Sequence, residues 1–171
     1  VSLVCFGETV TDVLHDLRGH SRVWQLFGHL QQVEATGRTR LDRAVRDFFA
    51  AARRRGLVIV VSDFLDPDWQ TGLEHLARLR HDVLAVLVTS PLDDPERLPR
   101  EALLVDVEEG TEHRVQLTAD MKRRYRESLE EHRAQLLELC RRYGWGLLPA
   151  PTDLPIDELV LKVFQQGRLL R

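Results

Sequence analysis

The residue best placed for chemistry in this chain is a carboxylate that follows directly on an aliphatic run. In the stretch Val60-Val61-Ser62-Asp63-Phe64-Leu65-Asp66, Asp63 stands where a buried strand would end. Hard divalent cations such as Mg²⁺ take oxygen ligands, commonly one or two carboxylates completed by water. Asp63 suits that role, and it suits equally a second one, hydrogen bonding to amides of its own loop. Asp66 and Asp68 read as helix-start residues, one as the cap and the other as first-turn charge. Thr39 is the second candidate, with a hydroxyl that either caps the following helix or turns outward to a cation or its water.

Other chemistries lack their residues. The seven histidines show no His-Glu-x-x-His pairing and no zinc spacing with cysteine. Ser62 lacks the Gly-x-Ser-x-Gly elbow of a hydrolase nucleophile. No Gly-rich phosphate loop or dinucleotide fingerprint occurs. Cys5 and Cys140 sit in apolar-periodic segments and read as buried thiols of a reducing compartment. Net charge is −3, so nothing overall draws the chain to nucleic acid. The basic runs Arg53-Arg54-Arg55 and Lys122-Arg123-Arg124 read as solvated faces, with Glu127, Glu130 and Glu131 near the second.

These residues need a scaffold, and the patterns supply one. The 171 residues, 43% hydrophobic and 30% charged, suit a single globular domain, 1–171. No run approaches the ~18 apolar residues of a membrane span. Val1–Phe6 and Thr9–Leu14 read as a hairpin around Gly7-Glu8. Val23, Trp24, Phe27, Leu30 and Val33 recur at helical spacing after Ser21. A second helix, Arg40 to Arg55, carries Leu41, Val45, Phe48, Phe49 and Ala52 on one face, with Gly56 at its end. Leu57–Val61 is continuously aliphatic, as in a parallel strand buried on both faces. A helix from Asp66-Pro67, with Leu73, Leu76 and Leu79 inward, leads to a second buried strand, Asp82–Val88.

A Pro- and Asp-rich loop, Ser90–Arg100, then precedes another hairpin, Leu103–Glu108 and Glu112–Leu117 around Glu109-Gly110. Thr118 caps a long helix, Ala119 to Tyr143, that Gly144 ends. A short strand, Trp145–Leu148, and a last helix, Ile156–Gln166, with Leu159, Val160 and Val163 inward, complete the chain. Buried strands alternating with helices give an α/β fold, a doubly wound and mostly parallel sheet with helices on both faces and the hairpins at its edges. Ligands of such sheets bind beyond the carboxyl ends of the strands. That rule points to the residues after Val61, after Val88 and around Gly37–Thr39.

Several segments together resemble a bacterial group. They are Val1–Gly7, Thr36-Gly37-Arg38-Thr39-Arg40-Leu41, Arg54 through Asp66, and His81-Asp82-Val83-Leu84-Ala85-Val86. The later hairpin and Pro151-Thr152-Asp153-Leu154-Pro155-Ile156 extend the likeness over nearly the whole chain. The group is the "domain of unknown function fifty-eight" family, itself similar to von Willebrand factor type A domains. The resemblance implies a metal-ion-dependent adhesion site, with Thr39 at its Thr position and Asp63 at its Asp position, both toward Mg²⁺. The Asp-x-Ser-x-Ser element that completes such a site does not occur in this chain. The resemblance therefore implies an N-terminally truncated or reduced domain without its first, central strand. A sheet in that state exposes unpaired amides and carbonyls, and a homodimer through the edge is a further expectation.

The family tends to Gly-Gly-Thr-Asp where this chain has Gly37-Arg38-Thr39-Arg40. Two guanidiniums beside a cation repel it, on the order of a few kcal/mol each at ~4 Å and intermediate dielectric. Arg38 and Arg40 are instead expected to pair with Asp63 in place of the metal, or to grip a partner's acidic side chain. Ser62 and Asp66 complete the expected partner-binding set. The resemblance implies a non-enzymatic interaction module working with a MoxR-type AAA+ ATPase, in the cytoplasm or as the cytoplasmic part of a membrane-anchored protein. The alternative reading is an Mg²⁺-dependent phosphoryl-transfer domain with Asp63 as nucleophile or phospho-acceptor. It needs a lysine at the same mouth, and Lys122 and Lys162, the two lysines present, fall on late helices.

Overall fold

The computed structural model describes the chain apart from residues 16, 20, 35–36, 50–54, 107–110 and 166–171, and apart from the side chains of 21, 160 and 162–165. Thr36, Arg53, Arg54, the end of the second predicted helix, the Glu109-Gly110 turn, Gln166 and the side chains of Val160 and Val163 thus lie outside the described residues. The chain divides into two compact units. The first comprises Val1–Arg53, Asp66–His75 and Asp106–Thr111; the second comprises Arg54–Leu65, Leu76–Val105 and Glu112–Arg171.

In the first unit, β1 (Leu3–Phe6) and β2 (Val10–Leu14) form the expected antiparallel hairpin, with a register shift between Cys5 and Phe6. Helix α1 (Ser21–Leu30) follows, then α2 (Leu41–Phe49). The Arg40 N–H donates to Gly7 O at 3.0 Å, which fixes the entry of α2 on the hairpin turn. Leu41, Ala44 and Val45 are buried, as their spacing predicts. The predicted apolar face of α1 is different. Val23, Phe27, Leu30 and Val33 are exposed, Trp24 is 78% exposed, and the face forms an open groove instead of core.

Helix α3 (Trp69–Arg78) begins in the first unit and ends in the second. Leu73 and Leu76 are fully buried, as predicted, and Leu79 follows the last turn half-buried. The helix starts later than Asp66-Pro67. The Gly72 N–H donates to Asp68 O, so Asp68 takes the cap position and Asp66-Pro67 form the turn before it.

The second unit is built on a three-stranded parallel sheet, β3 (Leu57–Ser62), β4 (Asp82–Thr89) and β7 (Gly146–Pro151), in the order β3-β4-β7. The register runs Leu57↔Asp82 to Ser62↔Leu87, and Leu84↔Gly146 to Thr89↔Pro151. Mixed α/β content with a parallel sheet is the fold class that the pattern predicts. Central β4 is buried from Val83 to Leu87. Two 3₁₀ turns, Pro91–Asp93 and Pro95–Arg97, occupy the Pro- and Asp-rich loop. The hairpin β5 (Glu101–Val105) and β6 (Glu112–Gln116) follows. Both hairpins form two-stranded sheets of their own instead of edges on the main sheet.

Helix α4 (Ala119–Tyr143) has the predicted bounds. The Met121 N–H donates to Thr118 Oγ1, and Gly144 closes the helix at φ 69°. Its buried residues, Leu136, Leu139 and Cys140, lie in the last turns beside β7. Helix α5 (Ile156–Gln165) sets Leu159 against Leu84, Val86, Leu148 and Ala150. No helix of the described residues is long and apolar enough to cross a membrane.

Strand β3 departs from expectation. Val60 is buried, but Leu57, Ile59 and Val61 are 52%, 56% and 59% exposed. Paired residues of a parallel sheet share a face, so these three lie on the face that carries Leu84 and Val86. Helix α5 covers that face over β4 and β7. With β3 last in the order, its own part stays open, so one face of β3 is buried and not two.

Candidate functional site

The carboxyl end of β3 carries the principal candidate. The chain leaves the strand at Ser62, and Phe64 sits at φ 57° with its ring fully buried. A left-handed backbone costs a bulky residue on the order of 1–2 kcal/mol. Two local bonds hold it there: the Phe64 N–H donates to Ser62 Oγ at 3.0 Å, and the Leu65 N–H donates to Asp63 Oδ1 at 3.1 Å. Asp63 thus plays the loop-amide role that its position allows, and its carboxylate remains exposed.

The first unit gathers a second set of polar groups. The Asp66 carboxylate accepts the Asp68 N–H at 2.9 Å and also the Leu41 N–H, so Asp66 satisfies an orphan amide at the start of α2. This is a different role from capping α3. Burial pushes the Asp66 carboxyl above its ordinary range; the two amides oppose that, and the Asp68 and Asp42 carboxylates add to it. Arg40 Nη2 lies 2.6 Å from Asp68 Oδ2, and Arg40 Nε lies 3.9 Å from Asp42 Oδ1. Asp42, 5% exposed, has its other oxygen 2.6 Å from Arg46 Nη2. Its Oδ1 has no hydrogen-bond donor among the described residues.

The predicted residues fall out as follows. Arg40 is engaged by Asp68, not by Asp63, because Asp68 stands at the cap of α3 within reach of the start of α2. Thr39 is half-buried one residue before the cap position. The Ala44 N–H donates to Arg40 O, so Arg40 and not Thr39 occupies that position. Arg38 is exposed. Thr39, Arg38, Arg40 and Asp66 belong to the first unit, and Ser62 and Asp63 to the second. Sequence reasoning passed over Asp42 as a buried charge. Its signal was Arg46, one helical turn on at i+4.

Among the described residues no group of three or more His, Cys, Asp or Glu side chains is placed to hold a metal ion. Mg²⁺ wants near-octahedral oxygen. Asp63 accepts the Leu65 amide with one oxygen, and in the first unit Arg40 stands between Asp68 and Asp42. Within the basic run on α4, Arg123 lies 2.5 Å from Asp120 and 3.1 Å from Glu127, and Arg124 lies 2.8 Å from Asp120, while Lys122 donates to Leu98 O outside the helix. These acidic partners neutralise Arg123 and Arg124 along the exposed face of the helix.

Comparison with known proteins gives relatives. The family described as "Protein of unknown function DUF58" matches residues 1–135. An uncharacterized protein of Mycobacterium avium, MAV169, is 33% identical over 102 residues, 59% of this chain and 60% of that protein. Uncharacterized proteins of Mycobacterium bovis (Mb1516) and Mycobacterium tuberculosis (Rv1480) are each 32% identical over 102 residues, 59% of this chain and 32% of theirs. The match spans about a third of the length of these two and less than two thirds of the first. No solved structure matches.

Proposed function

We propose, for a chain that belongs to the DUF58 family of proteins of unknown function, a non-enzymatic role as a protein-interaction module of type A-like architecture. It docks a partner at the loop after β3, and the partner that the resemblance implies is a MoxR-type AAA+ ATPase. The same resemblance implies a cytoplasmic setting, as part of a longer membrane-anchored protein in some members. The observation that carries the reading is the contrast among neighbouring carboxylates. Asp66 and Asp68 are spent on the Leu41 amide and the Arg40 guanidinium, while Asp63 stays exposed at the carboxyl end of a parallel strand. A basic side chain of the partner meets Asp63. Taken by itself, the first unit offers Arg38 and Arg40 to an acidic side chain, with Arg40 exchanging Asp68 for it.

A phospho-acceptor role for Asp63 draws no support from Lys122. Its ammonium donates to Leu98 O at 2.7 Å, held at a loop carbonyl. The test is interferometry of this chain against a purified MoxR-type ATPase, with Asp63→Ala and Arg38→Ala beside the parent. Binding weakened at least roughly tenfold by either substitution supports the reading, since an interfacial charge pair is worth a factor of that order or more. No binding, or binding indifferent to both, overturns it. Calorimetry with Mg²⁺ reads whether a cation takes part. An acyl phosphate on Asp63 after treatment with acetyl phosphate supports the phosphoryl-transfer alternative.

A further inference from the structure

The ends of α3 and α4 meet the amino end of the parallel sheet, and the two turns there are built alike. Strands β4 and β7 are neighbours, with Leu84 against Gly146. Arg80 stands four residues before Leu84, and Arg142 four before Gly146. At the end of α4 the Gly144 N–H donates to Arg141 O and the Trp145 N–H to Cys140 O. At the end of α3 the Arg80 N–H donates to Ala77 O and the His81 N–H to Leu76 O. Gly144 turns its chain at φ 69° and Arg80 at φ 60°. Glycine takes this left-handed position without strain, and arginine does not. The end of α3 thus keeps an exposed arginine where glycine would serve the fold better.

Arg80, Arg141 and Arg142 are exposed and, unlike Arg123 and Arg124, pair with no acid among the described residues. Arg78 is exposed beside them but engaged. Against these stand two exposed acids, Asp82 at the start of β4 and Glu138 one turn back on α4. Tyr143 is 39% exposed, with its ring 5.0 Å from that of half-buried Trp145. The opposite end of the sheet carries an exposed carboxylate after each strand, Asp63, Asp94 and Asp153. Within the second unit, charge therefore changes sign along the strands.

We propose that this amino end docks on an anionic lipid surface, with Arg80, Arg141 and Arg142 on headgroup phosphates and the Tyr143 ring at headgroup depth. Near such a surface each arginine raises partitioning about fivefold. Tyrosine and tryptophan, with an apolar body and a polar tip, are the aromatic residues of membrane interfaces. The change of sign along the strands orients the unit on a charged plane, basic end inward and the three carboxylates outward. A single-stranded nucleic acid needs rings free to take its bases, and these two pack on each other. The inference goes beyond the ATPase reading and rests on the opposite end of the sheet, so the two stand or fall separately.

The experiment is flotation of the chain with vesicles of equal parts phosphatidylglycerol and phosphatidylcholine, beside vesicles of phosphatidylcholine alone. Flotation with the anionic vesicles only, lost at high salt, is expected. Arg141→Glu combined with Arg142→Glu is expected to lower partitioning at least roughly twentyfold. Arg124→Glu reverses an arginine about 27 Å away along α4 and is expected to change it less than about twofold. Arg80→Gly separates docking from folding. It relieves the left-handed backbone, so the midpoint of urea unfolding is expected to hold or rise while partitioning falls about fivefold. An arginine kept for the fold alone would show no such split. No flotation at low salt overturns the proposal, and so does an equal loss from Arg124→Glu. Binding of polyglutamate or of a single-stranded oligonucleotide without flotation also overturns it, and gives this end to an acidic protein segment or to a nucleic acid.

Discussion

A β-carbon added to Gly72 would stand 2.8 Å from Leu41 Cγ and 2.9 Å from the Asp42 amide nitrogen. The first turn of α3 and the start of α2 approach as closely as only glycine permits. Elsewhere in a helix, alanine is better than glycine by about 1 kcal/mol. Here the added methyl meets backbone, which cannot swing aside. Gly72→Ala is expected to destabilise the chain by about 1–3 kcal/mol. Urea unfolding measures this, and a gain in stability would mean that α2 and α3 do not approach in this way.

Asp42 is the most buried carboxylate described, and Arg46 is its partner at 2.6 Å. The two sides are unequal, since the Arg46 side chain is half in solvent. Removing Asp42 deletes a charge-assisted bond and a partly desolvated group together. Asp42→Ala is expected to cost about 1–2 kcal/mol. Arg46→Ala is expected to cost at least as much, about 1–3 kcal/mol, because it leaves the buried Asp42 carboxylate without its charge-assisted donor. A double-mutant cycle gives the coupling, and a coupling of zero shows that the pair contributes nothing.

The elements were legible in the sequence, and the covering of their faces was not. Ala119 to Tyr143 emerges with its cap and closing glycine because Thr118 and Gly144 act locally. The β1–β2 hairpin and β4 are equally local readings. The stripe Val23, Trp24, Phe27, Leu30 follows helical spacing, yet it lies open. Periodicity states which side chains share a face, not what lies opposite. Leu57–Val61 fails for the same reason, since its aliphatic run suits an interior strand and its place at the end of the sheet is a matter of topology. In the site, Asp63 was legible from the end of the run. The Arg40–Asp68 pair was not, because it joins residues 28 apart through a meeting of two helix starts.

Asp66 makes stability depend on pH. Burial raises its carboxyl above the ordinary 3.8, against the amides of Asp68 and Leu41. Between 3.8 and the folded value, the folded chain binds more protons than the unfolded one. Stability from this group therefore falls as pH rises through that window and returns as pH falls. Asp66→Asn removes the titration. The difference in stability between variant and parent should move in the variant's favour across the window and level off above it. Unfolding at stepped pH measures that difference, and carboxyl NMR gives the midpoint of Asp66. A midpoint below 3.8 would reverse the sign and overturn the prediction.

The two thiols should differ in reactivity in an order set by burial. Both are free. Cys140 is 1% exposed in the last turn of α4, and burial pushes its thiol up to about 11. At pH 8 roughly one molecule in 1,000 would carry the thiolate, the reactive form, and no reagent reaches the sulfur without local unfolding. Cys5 is half-buried, raised first by burial and then by Asp12 across the hairpin. Ellman's reagent on the native chain is expected to label Cys5 slowly and Cys140 only in urea. A Cys5→Ser variant should then be silent until it unfolds. Fast native labelling of that variant would mean that the end of α4 is not packed as described, and the covering of β7 would have to be reassigned.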